Sequence, residues 1–84
     1  MSGSGNISLL ILTPERTLFE KKVEKVTLPG SKGNFMVLRN HAPIISSLEA
    51  GDVAFESSDG KETVRIAGGF VEVYDNKVTV CAEI

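Results

Sequence analysis

Turn-forming residues interrupt this 84-residue chain at short, even intervals, and that rhythm constrains its fold more than any other feature. The interruptions are Thr13-Pro14-Glu15, Pro29-Gly30-Ser31-Lys32-Gly33, Arg39-Asn40, Ala50-Gly51-Asp52, Ser57-Ser58-Asp59-Gly60, Gly68-Gly69 and Asp75-Asn76. Gly, Asn and Asp supply the positive φ that tight turns require, and Pro presets a turn's first corner. Between them lie runs too short for most helices and rich in Val, Ile, Thr and Phe. Several short strands at such spacing predict an all-β sandwich or barrel. No stretch of ten residues holds a helical apolar period, so the sequence predicts essentially no α-helix.

The alternation is clearest near the end of the chain. Val71 and Val73 share one face, opposite Glu72 and Tyr74; Val78, Val80 and Ala82 oppose Lys77, Thr79 and Cys81. Asp75-Asn76 between them has the chemistry of a two-residue hairpin turn. Asp59-Gly60 marks a second hairpin joining residues 52–57 to 62–67. Further strands are expected at about 6–12, 17–20, 23–29, 34–38 and 44–48. Apolar parity slips between Val23 and Val26, which calls for a bulge or for a strand that changes sheets at a corner.

Two runs, Leu9–Leu12 and Phe35–Leu38, are apolar at both parities. A half-buried sandwich strand exposes one face to water and has no use for this. Either the domain covers both faces at a corner, or the outer face rests against another protein.

Bulk properties exclude several functions. A net charge of −2 with scattered Lys and Arg argues against a nucleic-acid surface. Lys21, Lys22 and Lys25 are interrupted by Glu20 and Glu24 and read as a solvated strand surface. The longest apolar runs are four residues, far below the roughly 20 of a spanning helix. No secretory signal is recognisable at the start. The single cysteine, Cys81, precludes an internal disulfide and fits a reducing compartment. Met1-Ser2-Gly3-Ser4-Gly5 reads as a flexible tail or cloning remnant, leaving 6–84 as one sandwich domain.

Reactive constellations are lacking. His41 lies in a loop, no Gly-x-Ser-x-Gly elbow is present, and one Cys with one His falls short of a zinc site. Gly30-Ser31-Lys32-Gly33 superficially resembles a phosphate loop, but its glycine spacing is too short and a strand follows. Gly68-Gly69 reads as a bulge or a close backbone approach between strands. No cofactor or metal is expected, and no enzymatic activity.

The segment from Leu28-Pro29-Gly30 through Asn34-Phe35-Met36-Val37-Leu38 to Asn40-His41-Ala42-Pro43 resembles the signature of the epsilon subunit of F-type ATP synthases. Thr13-Pro14-Glu15-Arg16-Thr17-Leu18-Phe19 is similar to that family's opening segment, and Leu48-Glu49-Ala50-Gly51 to one of its turns. Gly68-Gly69-Phe70-Val71-Glu72-Val73 with Asn76-Lys77-Val78-Thr79-Val80 follows its closing hairpin. The likeness covers about residues 7–83.

The resemblance implies a flattened antiparallel sandwich of two roughly five-stranded sheets. It also implies a non-catalytic rotor part that couples the c-subunit ring to the gamma shaft, at the cytoplasmic face of a bacterial inner membrane. On this reading Gly30, Ser31, Lys32, Gly33, Asn34 and Phe35 form the c-ring contact. Many family members carry an acid where this chain has Asn34, which can offer hydrogen bonds but no charge to the ring. Thr13, His41 and Ser46 match positions facing gamma, and the outward parities of Met36 and Ile45 add those two side chains. Typical members continue into a pair of C-terminal helices that carry regulation and nucleotide binding; the chain given stops at Ile84, so no nucleotide is expected. The competing expectation is a β-sandwich module for some other ligand, such as a carbohydrate, for which one tyrosine and four phenylalanines offer little stacking surface.

Overall fold

Strand parity builds this molecule, and burial follows it closely in Ile7–Leu12, Lys25–Leu28, Gly68–Tyr74 and Lys77–Glu83. The computed structural model describes residues 6–84, which form nine strands: β1 (Ile7–Leu12), β2 (Thr17–Val23), β3 (Lys25–Leu28), β4 (Phe35–Val37), β5 (Ile44–Leu48), β6 (Gly51–Ser57), β7 (Gly60–Ile66), β8 (Gly68–Tyr74) and β9 (Lys77–Glu83). No helix occurs among the described residues. The expected tail, residues 1–5, lies outside them.

The strands make two sheets, one of five strands in the order β2-β1-β9-β8-β5 and one of four in the order β4-β3-β6-β7. Their stacking gives a flattened body with principal extents of 35 × 25 × 19 Å. Alternate residues of each strand point between the sheets. Ile7, Leu9 and Ile11 of β1 are fully buried there, as are Val71 and Val73 of β8 and Val78 and Val80 of β9. The four-stranded sheet answers with Val26, Leu28, Val37, Val53, Phe55 and Ile66. Phe19 of β2 meets Phe55 of β6 across the gap, with ring centroids 4.3 Å apart. Burying each such side chain contributes roughly 1.5–3 kcal/mol.

The parity slip after Val23 is a change of sheet. β2 belongs to the five-stranded sheet and β3 to the four-stranded one, with only Glu24 between them. Both Val23 and Val26 are therefore buried, each from its own layer. The final hairpin also follows its sequence pattern. Asp75 and Asn76 both have positive φ, 52° and 61°, which matches the twist of the strands they join. In the β6–β7 hairpin, Ser57 pairs with Gly60, so Ser58-Asp59 form the loop and Gly60, at φ 117°, opens the next strand.

The expected antiparallel sandwich of two roughly five-stranded sheets is what forms, and two details refine it. β1 and β9 run parallel, with Leu10 beside Thr79 and Leu12 beside Cys81, so the larger sheet is mixed. The second sheet has four strands. Side-chain alternation reports which face a residue takes but not the direction of its neighbour, so the parallel pair has no local signature.

Gly69 is a true close approach. It sits at φ 137°, and a Cβ there would collide with the carbonyl oxygen of Cys81 on β9.

Candidate partner-docking surfaces

The turn between β3 and β4 is built on Gly30. The Gly33 N–H donates to the Gly30 carbonyl at 2.9 Å, and Gly33 takes φ 122°. A Cβ on Gly30 would lie 2.7 Å from the Gly33 oxygen and 2.9 Å from the Phe35 ring, so only glycine fits. The turn is tied to the edge of β5: the Ser31 N–H donates to the Ser47 carbonyl at 3.1 Å, and Ser47 Oγ donates to Ser31 Oγ at 2.8 Å. Gly30 is buried and Phe35 packs against the core, so these two hold the turn while Ser31, Lys32, Gly33 and Asn34 are offered to solvent. Between the turn and Ile44–Ser47 lies an open depression of about 530 Å³.

At one end of the sandwich, the loop after β4 carries His41. Leu38 accepts the His41 N–H at 3.2 Å, which makes Asn40 the corner of a turn, at φ 64°. The imidazole Nδ1 lies 2.7 Å from the Ala42 carbonyl. A carbonyl only accepts, so Nδ1 carries a proton, and in the neutral ring Nε2 is left as an acceptor. Asn76, from the β8–β9 turn, reaches across: its Oδ1 accepts the Asn40 N–H at 2.6 Å, and its Nδ2 donates to Asn40 Oδ1 at 3.1 Å. His41, Pro43, Tyr74 and Asp75 surround these amides in a shallow notch.

The outer face of the five-stranded sheet carries a run of apolar side chains among its polar ones. Register places Leu12, Cys81 and Phe70 side by side on β1, β9 and β8. The adjacent row runs Leu10, Thr79, Glu72 and Ile45. Phe70 is 51% exposed and Ile45 75%, and Tyr74 on the same face is 62% exposed. Lys22 and Glu20 edge the patch on β2, and Lys77 edges it at the start of β9.

Of the residues expected to meet gamma, the structure brings three to the border of this face. Thr13 follows β1 and lines a depression with Phe70 and Cys81. Ile45 stands on the face itself, beside Glu72. His41 belongs to the opposite end, where Asn76 also receives the Ser8 N–H at the start of β1. Thr13 and His41 are therefore separated by about the length of a six-residue strand, roughly 20 Å. The hydroxyl of Thr13 is engaged in its own turn, accepting from the Glu15 and Arg16 N–H groups at 3.3 Å. Ser46 has the opposite parity to Ile45, and its Oγ donates to the Ser47 carbonyl at 3.0 Å. Met36 is 47% exposed but lies on the outer face of the other sheet, opposite Thr27. Met36 and Ile45 thus both face solvent, as their parity requires, from opposite sides of the sandwich. The apolar row Leu12, Cys81 and Phe70, with Leu10 in the next row, was missed as a set. Its one signal in the sequence was the double parity of Leu9–Leu12.

A family profile described as the ATP synthase, delta/epsilon chain, β-sandwich domain matches residues 6–84. The chain belongs to this family. Among curated relatives it is 46% identical over 81 residues to the ATP synthase epsilon chain of Desulfatibacillum aliphaticivorans, covering 95% of this chain and 57% of that one. It is 41% identical over 80 residues to the epsilon chain of Desulfitobacterium hafniense, covering 95% and 61%. The chain thus spans about six-tenths of the length of these epsilon chains. The fold agrees. A chain in the mitochondrial ATP synthase assembly of OSCP, F1 and c-ring from Euglena gracilis superposes with a TM-score of 0.85 at 25% identity, over 93% of this chain and 51% of that one. One in the central stalk and c-ring of the Tetrahymena thermophila enzyme superposes with a TM-score of 0.79 at 12% identity, over 96% and 66%. Membership of the delta/epsilon family leaves the carbohydrate-module expectation without support. Among the described residues no group of three or more His, Cys, Asp or Glu is placed to hold a metal ion.

Proposed function

We propose that this domain is a non-catalytic coupling part of an ATP synthase rotor, wedged between the gamma shaft and the c-subunit ring at the cytoplasmic face of a bacterial inner membrane. The observation that carries this reading is the apolar outer face of the five-stranded sheet, which presents Phe70, Ile45, Leu10 and Leu12 together. Exposed apolar groups aligned in register on one face mark a protein contact. The shaft covers that face, from Thr13 at one end to His41 at the other. The turn Ser31–Asn34 projects from the β5 edge of the sandwich and meets the polar loops of the ring. Its chemistry is hydrogen bonding through Ser31 and Asn34 with one positive charge from Lys32, so the ring loop it suits supplies acceptors or a carboxylate. Torque passes through the body because close-packed interiors resist compression. The domain has no reaction of its own.

The reading is tested by mixing the purified domain with gamma subunit and c-ring of the same organism at micromolar concentration. Co-elution as one rotor complex, with no ATP turnover by the domain alone, is expected. Separate elution at that concentration counts against it.

A further inference from the structure

Asn40 and Asn76 are 36 positions apart and make a reciprocal pair of amide hydrogen bonds at 2.6 and 3.1 Å. Each occupies a positive-φ corner of its own turn, with φ 64° and 61°. Two left-handed corners are therefore locked to each other, one in the loop bearing His41 and the other in the β8–β9 hairpin. The hairpin is the firmer of the two. It is a two-residue turn between seven-residue strands, and the Asn76 carbonyl also holds the Ser8 N–H of β1 at 2.9 Å. The His41 loop, by contrast, is tied down within itself only by the turn bond to Leu38 and the imidazole bond to Ala42.

We propose that Asn76 is a positioning residue for partner recognition. By fixing Asn40 it presets the 38–43 loop, so that the His41 ring, its Nδ1–H held by Ala42, shows Nε2 as an acceptor to a hydrogen-bond donor on the docked partner. The proposal rests on the docking reading given above and specifies the chemistry at one end of that contact. A preset loop binds without the ordering cost a free loop carries.

Asn76→Gly tests this cleanly. Asp-Gly is a favoured pair for this hairpin turn, and glycine keeps both the positive φ and the backbone bond to Ser8 while removing the clamp. The affinity of the chain for gamma subunit is measured for wild type, Asn76→Gly, His41→Phe, His41→Gln and the Asn76→Gly/His41→Phe double variant. Asn76→Gly and His41→Phe each weaken binding about tenfold, with thermal midpoints near wild type. The double variant is no weaker than His41→Phe, because both changes remove one interaction. His41→Gln, whose amide oxygen reaches the Nε2 position, restores most of the affinity. In the free chain, Asn76→Gly loosens amide-hydrogen protection in residues 38–43 and alters the His41 ring nitrogen shifts.

Wild-type affinity in Asn76→Gly overturns the proposal, as do losses that multiply to about a hundredfold in the double variant. Failure of the wild-type chain to bind overturns the docking reading and the recognition role with it. The exchange and ring-nitrogen measurements read the clamp without any partner, and unchanged values there overturn it.

Discussion

Lys21 Nζ lies 3.0 Å from Asp59 Oδ2 and 3.5 Å from Glu62 Oε2, joining the β2 edge of one sheet to the β6–β7 hairpin of the other. Lys21 pairs with Leu9, a core residue, so its parity directs it toward the gap between the sheets. An inward-pointing charge at a sheet edge also discourages pairing with another chain. The hydrogen bond to Asp59 raises the Lys21 pKa above its usual 10.5; desolvation opposes the rise, and the charges of Asp59 and Glu62 add to it.

The pH dependence follows from that direction. A folded-state pKa above the unfolded one contributes stability that is fully present below pH 10.5 and is lost as pH rises through the folded value. Lys21→Gln should therefore melt below wild type at neutral pH, with the gap narrowing in strongly alkaline solution. Thermal melts of both proteins from neutral pH to above 11 check this, and the difference between them removes the background of other lysines. The group is exposed, so the effect is small. A gap that widens with rising pH would refute the assignment.

Gly69 and Gly33 separate two kinds of glycine. Both have positive φ, at 137° and 122°, but a Cβ meets the Cys81 backbone at Gly69 and open space at Gly33. Gly33→Ala should cost about 1–2 kcal/mol from backbone strain alone. Gly69→Ala should cost more, about 3 kcal/mol or above, because β8 and β9 must also part. Urea unfolding of the two variants gives the ranking.

Neighbouring residues on β1 make a parity test. Ile11 is fully buried between the sheets, whereas Leu12 lies on the outer face beside Cys81. Ile11→Ala should destabilise the domain by about 2–5 kcal/mol. Leu12→Ala should cost about 1 kcal/mol or less in the isolated domain and act mainly on partner binding. Chemical denaturation with a parallel binding assay distinguishes the two.

These contrasts show what local pattern reveals and what it conceals. The closing hairpin was legible because Val71, Val73, Val78 and Val80 alternate strictly around Asp75-Asn76. The break at Glu24 was legible as a parity slip between Val23 and Val26. A bulge or a change of sheet would leave it alike, and the pairing of β2 and β3 in different sheets decides between them. The outward faces of Met36 and Ile45 followed from the same rule. Parity does not say which sheet a strand joins, so it could not separate those two side chains onto opposite faces. The parallel pairing of β1 with β9 and the Asn40–Asn76 clamp join residues far apart in sequence, and neither leaves a local trace. The apolar row of Leu12, Cys81 and Phe70 was hidden for the same reason. Leu12 stood out through the double parity of its run, but Cys81 and Phe70 look ordinary on their own strands, and only the register of three strands aligns them. The turn Gly30–Phe35 was legible as a unit, but its division into buried anchors and presented groups depends on the Ser31–Ser47 contacts with β5.

The most direct measurement is the affinity of gamma subunit for three charge variants of the outer faces. Phe70→Asp and Ile45→Asp place a carboxylate on the outer face of the five-stranded sheet, and Met36→Asp places one on the opposite sheet. The account predicts that the first two weaken binding by at least about tenfold, since each removes an apolar contact and buries a charge, while Met36→Asp stays near wild type and all three remain folded. Strong loss in Met36→Asp with full binding in Phe70→Asp and Ile45→Asp would contradict it, because the shaft would then lie on the other sheet.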